Sequence, residues 1–390
     1  MRALRTALLV ILVSLGFLAG YFAGWRVSGS DVVRLTPGER DAASKAGQLT
    51  QRIIEELQGR YYREVDPESL SRKGVDGMLK SLGDPYTVYL SPEENRLLEE
   101  QTKGEYSGIG AALQKKDGGL MITSVFAGSP AAEAGLGPGD LIVAVDGKPT
   151  RDEALDASVA RIKGEAGTKV RLTVRKKGAD DEVEVTLVRK TIDIPQTRTR
   201  MLKAGGEKVG YVRLYEFAGT AGDDVRVEVD KLEGKGAQWI VLDLRYNGGG
   251  LLSEAVDVTG VFQRGEVVST KGLHSPLEVY TSDETPATDL PLIVLTNGYT
   301  ASASEIVTGA LKDRDRATVI GTRTFGKGVV QSIVPLDDGA ALKLTTANYF
   351  TPDGTNIDKK GIAPDVKAPD DPKTKKDETL ERALAFIAVR

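Results

Sequence analysis

Apolar residues first recur at helical spacing between Asp41 and about Gln101. Leu49, Ile53, Ile54 and Leu57 fall at i, i+4, i+5 and i+8, which predicts an amphipathic helix. Asp66-Pro67-Glu68 opens a second helix that ends near Gly83. Asp84-Pro85 reads as a turn, and Ser91-Pro92-Glu93-Glu94 as a further helix start. Near Gly104 the period changes. Glycines and short β-branched runs take over: Gly108-Ile109-Gly110, Leu120 to Val125, Leu141 to Val145, Val170 to Val174 and Val183 to Val188. One helix, Asp152 to Ile162, lies among them with Leu155, Val159 and Ile162 on one face. After Thr191 the pattern becomes strand–helix. Trp239 to Leu244 and Leu290 to Thr296 are unbroken apolar runs of buried-strand length, followed by helical stretches Leu251 to Phe262 and Ser302 to Leu311. Val329 to Val334 is β-like, and Ala340 to Phe350 reads as a long strand after the Asp337-Asp338-Gly339 turn. Lys367 to Lys376 is a charged linker, and Glu378 to Val389 a short last helix.

This predicts an α+β multidomain chain. Its parts are a leading segment (1–28), a helical region (29–102), a β-rich module (103–190), a mixed α/β core (191–366) and a linker with terminal helix (367–390). The length of 390 residues agrees, since ordinary domains run to ~150 residues.

The leading segment carries Arg2 and Arg5, then 20 uncharged residues from Thr6 to Trp25, closed by Arg26. That is long enough to cross ~30 Å of hydrocarbon, with the positive flank in the cytoplasm. An uncleaved membrane anchor is favoured over a signal peptide, whose apolar region is shorter. Gly16, Gly20 and Gly24 also fall at the spacing that pairs helices in lipid. Either way the body lies outside the cytoplasm.

Composition then narrows the chemistry. The net charge of −4 gives no basic excess for nucleic acid. There is no Cys, which removes disulfides, thiolate zinc sites and a cysteine nucleophile. The single His, His274, lies in a polar loop, so a Ser-His-Asp triad is disfavoured by supply alone. A Ser-Lys pair stays open, because a buried amine loses its proton more readily and then serves as a general base.

Three stretches have the layout such chemistry needs. Gly321 to Lys327 fits most of a phosphate-binding loop, but Gly328 stands where Ser or Thr must hold magnesium, and a strand follows instead of a helix. Nucleotide binding is therefore rejected, and Lys327 remains, set between two glycines. Thr300 to Glu305 lies between a buried strand and a helix. Ser302 with Glu305 forms a capping box, which by itself explains both residues. The same position sets the Ser302 hydroxyl at the positive helix end, with the Ala303 amide available to an oxyanion. Ser304 competes, one turn position further in. Gly248-Gly249-Gly250 leaves the first buried strand and permits close backbone approach, as any flexible turn would.

Taken together, these motifs resemble the carboxyl-terminal processing peptidases, or tail-specific proteases, of bacterial envelopes and chloroplast lumens. The resemblance rests on Ser81-Leu82-Gly83-Asp84-Pro85, Asp243-Leu244-Arg245, Ser302-Ala303-Ser304-Glu305-Ile306, Thr324-Phe325-Gly326-Lys327-Gly328, Gln331 and Gly361-Ile362-Ala363-Pro364-Asp365. It implies a PDZ domain for the β-rich module and a protease core resembling the ClpP/crotonase-like fold. It also implies Ser302 as nucleophile, Lys327 as base, Gln331 in support of the lysine, and oxyanion amides from Ala303 and Gly249. The separation 327 − 302 = 25 matches the family interval and selects Ser302 over Ser304. Gly248 stands where the family usually has Pro, and Asp84-Pro85-Tyr86-Thr87 is expected to be structural. The PDZ resemblance implies capture of protein C-termini by Gly108, Ile109 and Gly110, with Leu155 and Val159 lining the groove. The implied enzyme is a serine endopeptidase needing no metal or cofactor, binding peptide substrates, held at the membrane by its N-terminal segment, and dimerising through its helical regions. The alternative is a catalytically inactive PDZ scaffold that binds tails without cutting them.

Overall fold

The computed structural model describes residues 36–370, 374 and 376–390. The leading segment 1–28, and with it the anchor expectation, lies outside the described residues. Among the described residues no helix is long and apolar enough to cross a membrane. The chain divides into two compact units, one comprising the N-terminal part to Thr102 with Gln196–Arg390, the other Lys103–Pro195.

Helix α1 (Pro37–Arg60) begins earlier than its apolar pattern because Thr36 caps it. The Glu39 carboxylate accepts the Thr36 amide at 2.7 Å, and the Glu39 amide donates to the Thr36 hydroxyl at 3.3 Å. Its apolar residues Leu49 and Ile53 are exposed. Helix α2 (Pro67–Lys80) starts from the Asp66 cap, β1 (Val88–Leu90) follows, and α3 (Pro92–Lys103) closes this part.

In the Lys103–Pro195 unit, β2 is Glu105–Gly108, β3 Ala111–Lys116 and β4 Gly119–Val125, before the one-turn α4 (Pro130–Glu133). Then come β5 (Leu141–Val145), β6 (Lys148–Pro149), α5 (Leu155–Ile162), β7 (Lys169–Arg175), β8 (Glu182–Val188) and β9 (Lys190–Asp193). The main sheet is antiparallel in the order β3-β4-β5-β7-β8, so β3 is an edge strand. Leu120, Ile122, Ile142, Leu172 and Val174 fill its core. Helix α5 starts at Leu155, three residues later than the pattern predicts.

The remainder begins with a hairpin, β10 (Thr197–Ala204) and β11 (Glu207–Leu214), and continues through α6 (Ala221–Gly234). After it come β12 (Trp239–Asp243), α7 (Leu252–Gly260), β13 (Gly265–Lys271), β14 (Glu278–Ser282) and β15 (Leu292–Thr296). Helix α8 (Ala303–Asp313), β16 (Ala317–Gly321), β17 (Val329–Pro335), β18 (Ala341–Phe350), β19 (Val366–Lys367) and α9 (Glu378–Ala388) complete it. A six-stranded sheet runs β10-β11-β12-β15-β16-β19, parallel from β11 onward. Strands β12 and β15 are apolar on both faces because both faces are covered, one by α6, α7 and α8, the other by α9. A second, antiparallel sheet carries β1, β18, β13 and β14, with β17 on β18.

The terminal helix is part of this core. Leu380, Ala383 and Ile387 are buried with Val241, Ile293 and Ile320. Arg245, just past β12, donates to Asp377 at 2.6 Å and to Asp243 at 2.9 Å, tying the cap of α9 to the sheet.

Candidate active site

Strands β12, β15 and β16 are neighbours, and their register sets Asp243 beside Leu295 and Thr296 beside Gly321. Their three C-terminal loops therefore emerge side by side, where open α/β sheets bind ligands. The first carries Gly249, the second Ser302 and the third Lys327. Backbone bonds zip them together. The Ala301 amide donates to Asn247 O at 3.1 Å and the Phe325 amide to Thr300 O at 3.0 Å.

Ser302 precedes α8 with φ 56° and ψ −119°, a strained conformation for a residue with a Cβ. A sharp strand-to-helix turn of this kind lifts a serine hydroxyl out of the backbone. Ser304 is a different case: it is fully buried, and its hydroxyl donates to Asn247 O at 3.0 Å. Tyr349 lies beneath the turn, donating its hydroxyl to Ser302 O at 3.3 Å.

The buried Glu305 carboxylate organises the site. Oε2 accepts the amides of Ser302 and Lys327, each at 2.9 Å, so those two nitrogens are no more than twice that apart. Oε1 accepts the Gly326 amide at 2.8 Å and the Thr324 hydroxyl at 2.5 Å. Burial pushes this carboxyl above its ordinary range, while hydrogen bonds led by Thr324 pull it back. All four neighbours donate, so the ionised form satisfies them all.

Lys327 is 1% exposed. Burial, and then the charge of Lys343, pushes its ammonium well below the usual lysine range. Lys343 itself is pushed down to about 8 by burial, with Asp84 pulling it upward. The Lys327 Nζ lies 4.9 Å from the centre of the Tyr86 ring. The turn Asp84-Pro85-Tyr86-Thr87, expected to be structural, does fold on itself, with the Thr87 hydroxyl on the Asp84 carboxylate at 2.6 Å. It also brings an aromatic face to the lysine.

Gly249 packs against Ser302 so closely that a Cβ there would sit 2.8 Å from the Ser302 Cβ and 2.9 Å from the Ala303 nitrogen. With φ +108° as well, only glycine fits. Its amide donates to Asn247 Oδ1 at 2.9 Å. Gln331 is buried and shares a small apolar cavity with Ser302, Leu252, Ile306, Val330 and Tyr349. Among the described residues its Nε2 makes long contacts, to Val329 O at 3.5 Å and Thr345 Oγ1 at 3.4 Å. His274 is exposed between β13 and β14.

In the other unit, Gly108 ends β2, Ile109 is buried, and Gly110 has φ +74°. A Cβ on Gly110 would meet the Ser129 Cβ at 2.2 Å. The chain then enters the edge strand β3, which is open on one side to an added strand. Leu155 and Val159 are half-buried, one turn apart on α5.

Sequence reading did not reach Tyr86, Lys343, Tyr349 or the tertiary part played by Glu305. For Glu305 a signal existed, since the capping box placed its carboxylate at Ser302. For the others no local pattern marks them, because their partners lie on separate elements, Tyr349 on Ser302 47 residues back and Tyr86 at Lys327 further still.

Residues 208–368 match the model of peptidase family S41, 121–176 that of the PDZ domain, and 27–94 that of the activating protease CtpB N-terminal domain. The chain is 39% identical over 326 residues to the carboxy-terminal-processing protease of Bartonella bacilliformis, covering 80% of this chain and 73% of that protein. It is 40% identical over 314 residues to the "Probable CtpA-like serine protease" of Staphylococcus aureus strain COL, of whose length it spans 62%. Among solved structures, the photosystem II D1 C-terminal processing protease superposes with a TM-score of 0.52 at 30% identity, covering 90% of this chain and 98% of that one. The chain belongs to peptidase family S41, as a serine-type carboxy-terminal-processing protease that carries a PDZ domain.

Proposed function

We propose that Ser302 and Lys327 form the catalytic dyad of an endopeptidase that binds protein C-termini through its PDZ domain and cuts nearby. The observation that carries this reading is the single Glu305 oxygen shared by the Ser302 and Lys327 amides. Neutral Lys327 takes the Ser302 hydroxyl proton as Oγ attacks the scissile carbonyl. The tetrahedral intermediate collapses with loss of the amine, which receives that proton. Water, deprotonated by the same lysine, then hydrolyses the acyl-serine. Gln331 supports the lysine, and burial together with the Lys343 charge keeps its amine from holding a proton.

The oxyanion would accept the Ala303 and Gly249 amides. The Gly249 amide must first leave Asn247 Oδ1, so cleavage includes a small rotation of that turn. The ClpP/crotonase-like character of the core, an envelope location, anchoring by the N-terminal segment, envelope proteins as substrates and dimerisation through the helical region belong to the same reading. The exposed Leu49 and Ile53 on α1 support the last of these.

Casein digestion by wild type and Ser302→Ala tests the dyad. The variant is expected to lose cleavage while its stability stays within about 1 kcal/mol, since the Ser302 hydroxyl makes no capping hydrogen bond. Cleavage at the wild-type rate by a folded variant would leave the dyad without support. A scaffold that binds tails without turnover would show no cleavage in either protein.

The PDZ part is tested separately. Gly108 to Gly110 lead into the open edge of β3, where a terminal carboxylate would meet backbone amides. Amidating a substrate C-terminus is expected to lower kcat/KM by about tenfold or more, from a charged hydrogen bond worth ~1.5–3 kcal/mol. Equal rates for acid and amide forms would remove carboxylate capture from the reading.

A further inference from the structure

Three large aromatic side chains lie exposed on the three loops that carry the site. Tyr246 is 49% exposed, Tyr299 58% and Phe325 51%. Tyr246 stands three residues before Gly249, Tyr299 three before Ser302, and Phe325 two before Lys327. The two tyrosine rings stack, with centroids 5.5 Å apart and planes 20° from parallel. One side chain sets the pair: Asn297 Oδ1 accepts the Tyr246 amide at 3.1 Å and the Tyr299 amide at 3.0 Å. Phe325 is tied to the same segment through Thr300 O.

Core packing does not explain these rings. They leave about half their surface in water, and Tyr246 sits at φ +62°, a left-handed conformation that a residue with a Cβ seldom adopts. Isolated exposed aromatics are ordinary; three on converging loops around one serine form a surface. Stacking fixes the tyrosines, so a ligand side chain meets a rigid apolar face with little ordering left to do.

We infer that Tyr246, Tyr299 and Phe325 form a specificity subsite that takes an aromatic or long aliphatic side chain of the substrate polypeptide. This rests on the endopeptidase reading above. An extended substrate advances about 3.3 Å per residue with side chains alternating. Rings on the loops that carry Gly249, Ser302 and Lys327 therefore meet a side chain at a fixed position near the scissile bond. Its occupant is the polypeptide already bound at Ser302, because the subsite is continuous with that turn through the Asn297 and Thr300 hydrogen bonds.

Two measurements on the full chain test this. In the first, mass spectrometry maps casein cleavage sites for wild type, Tyr246→Ala/Tyr299→Ala and Phe325→Ala, with folding checked by thermal unfolding. Wild type is expected to enrich Phe, Tyr or Leu at one fixed position near the cut bond. The alanine variants are expected to lose that enrichment by about tenfold, and Tyr246→Phe/Tyr299→Phe to keep it. The second needs no turnover. Ser302→Ala protein is titrated with two C-terminally amidated peptides that differ only by Phe or Ala at that position. Their Kd ratio, expected near about ten, should fall toward one when Tyr246→Ala/Tyr299→Ala is added. If wild type cleaves casein but its variants keep the same site preference, the subsite is wrong and the protease reading stands. If nothing is cleaved yet the Kd ratio collapses as described, the subsite stands and the protease reading falls. A Kd ratio near one in the Ser302→Ala protein alone overturns the subsite.

Discussion

Lys327→Arg is expected to abolish cleavage as completely as Lys327→Ala, by about 10²–10⁴-fold, while His274→Gln leaves kcat in place. Lys327 is buried, and the environment that pushes its ammonium down favours the neutral amine a base must be. A guanidinium stays protonated at any workable pH and cannot accept the serine proton. Activity should therefore rise with pH along a limb set by Lys327 in the free enzyme. Lys343→Met removes the second positive charge that depresses Lys327, so that limb should move to higher pH. Stability follows the same sign. Lys327 binds its proton at lower pH in the folded chain than in the unfolded one, so the unfolded chain holds more protons between those two values. Stability rises with pH across that window and is lost as pH falls through it. The measurement is kcat/KM against pH for wild type, His274→Gln and Lys343→Met. Loss of the ascending limb in folded His274→Gln would replace the lysine with a histidine mechanism.

Much of the scaffold was legible because burial wrote it into the order of residue types. Strands β12 and β15 are apolar on both faces, so their runs announced a covered parallel sheet and put the glycine turn and Ser302 at strand ends. Strand β10 was not legible, since Thr-Arg-Thr-Arg alternation at a half-exposed edge has little apolar signal. Helix α6 did carry one: Val225, Val229 and Leu232 fall at i, i+4 and i+7, among charged residues that make up half the helix and hid them. At the site, local rules set Ser302 at the start of a helix with the Glu305 carboxylate on its amide, as the fold has them. They could not show that one carboxylate oxygen serves residues 302 and 327 together. Nor could they bring Tyr86 to Lys327, because that approach depends on β1 pairing with β18, a register set by tertiary packing.

Glu305→Gln is expected to be the most damaging substitution outside the dyad, lowering stability by about 2–6 kcal/mol and kcat far more than KM. The carboxylate accepts from four donors and is fully buried. A carboxamide of the same shape keeps one oxygen and turns an NH2 group toward the other pair of donors. If the oxygen stays with Thr324 and Gly326, the amides of Ser302 and Lys327 lose their partner and face a donor instead. Each buried donor left unsatisfied costs about 1–3 kcal/mol, which sets the stability range. The reverse orientation keeps the two dyad amides but releases the Gly326 turn that presents Lys327. Either way the spacing of nucleophile and base loosens, and a misplacement of about 1 Å can cost on the order of 10²-fold in rate. Substrate capture, resting on other residues, should change much less. That split separates positioning from general damage: an unfolding defect lowers the concentration of active enzyme but leaves KM and the pH profile of the surviving molecules as in wild type. The measurement is kcat, KM and active-site titration of Glu305→Gln beside wild type, with thermal unfolding of both. A folded variant that retains kcat per titrated site would show that Ser302 and Lys327 hold their places without the shared carboxylate. The case for the dyad would then rest on the family relationship alone.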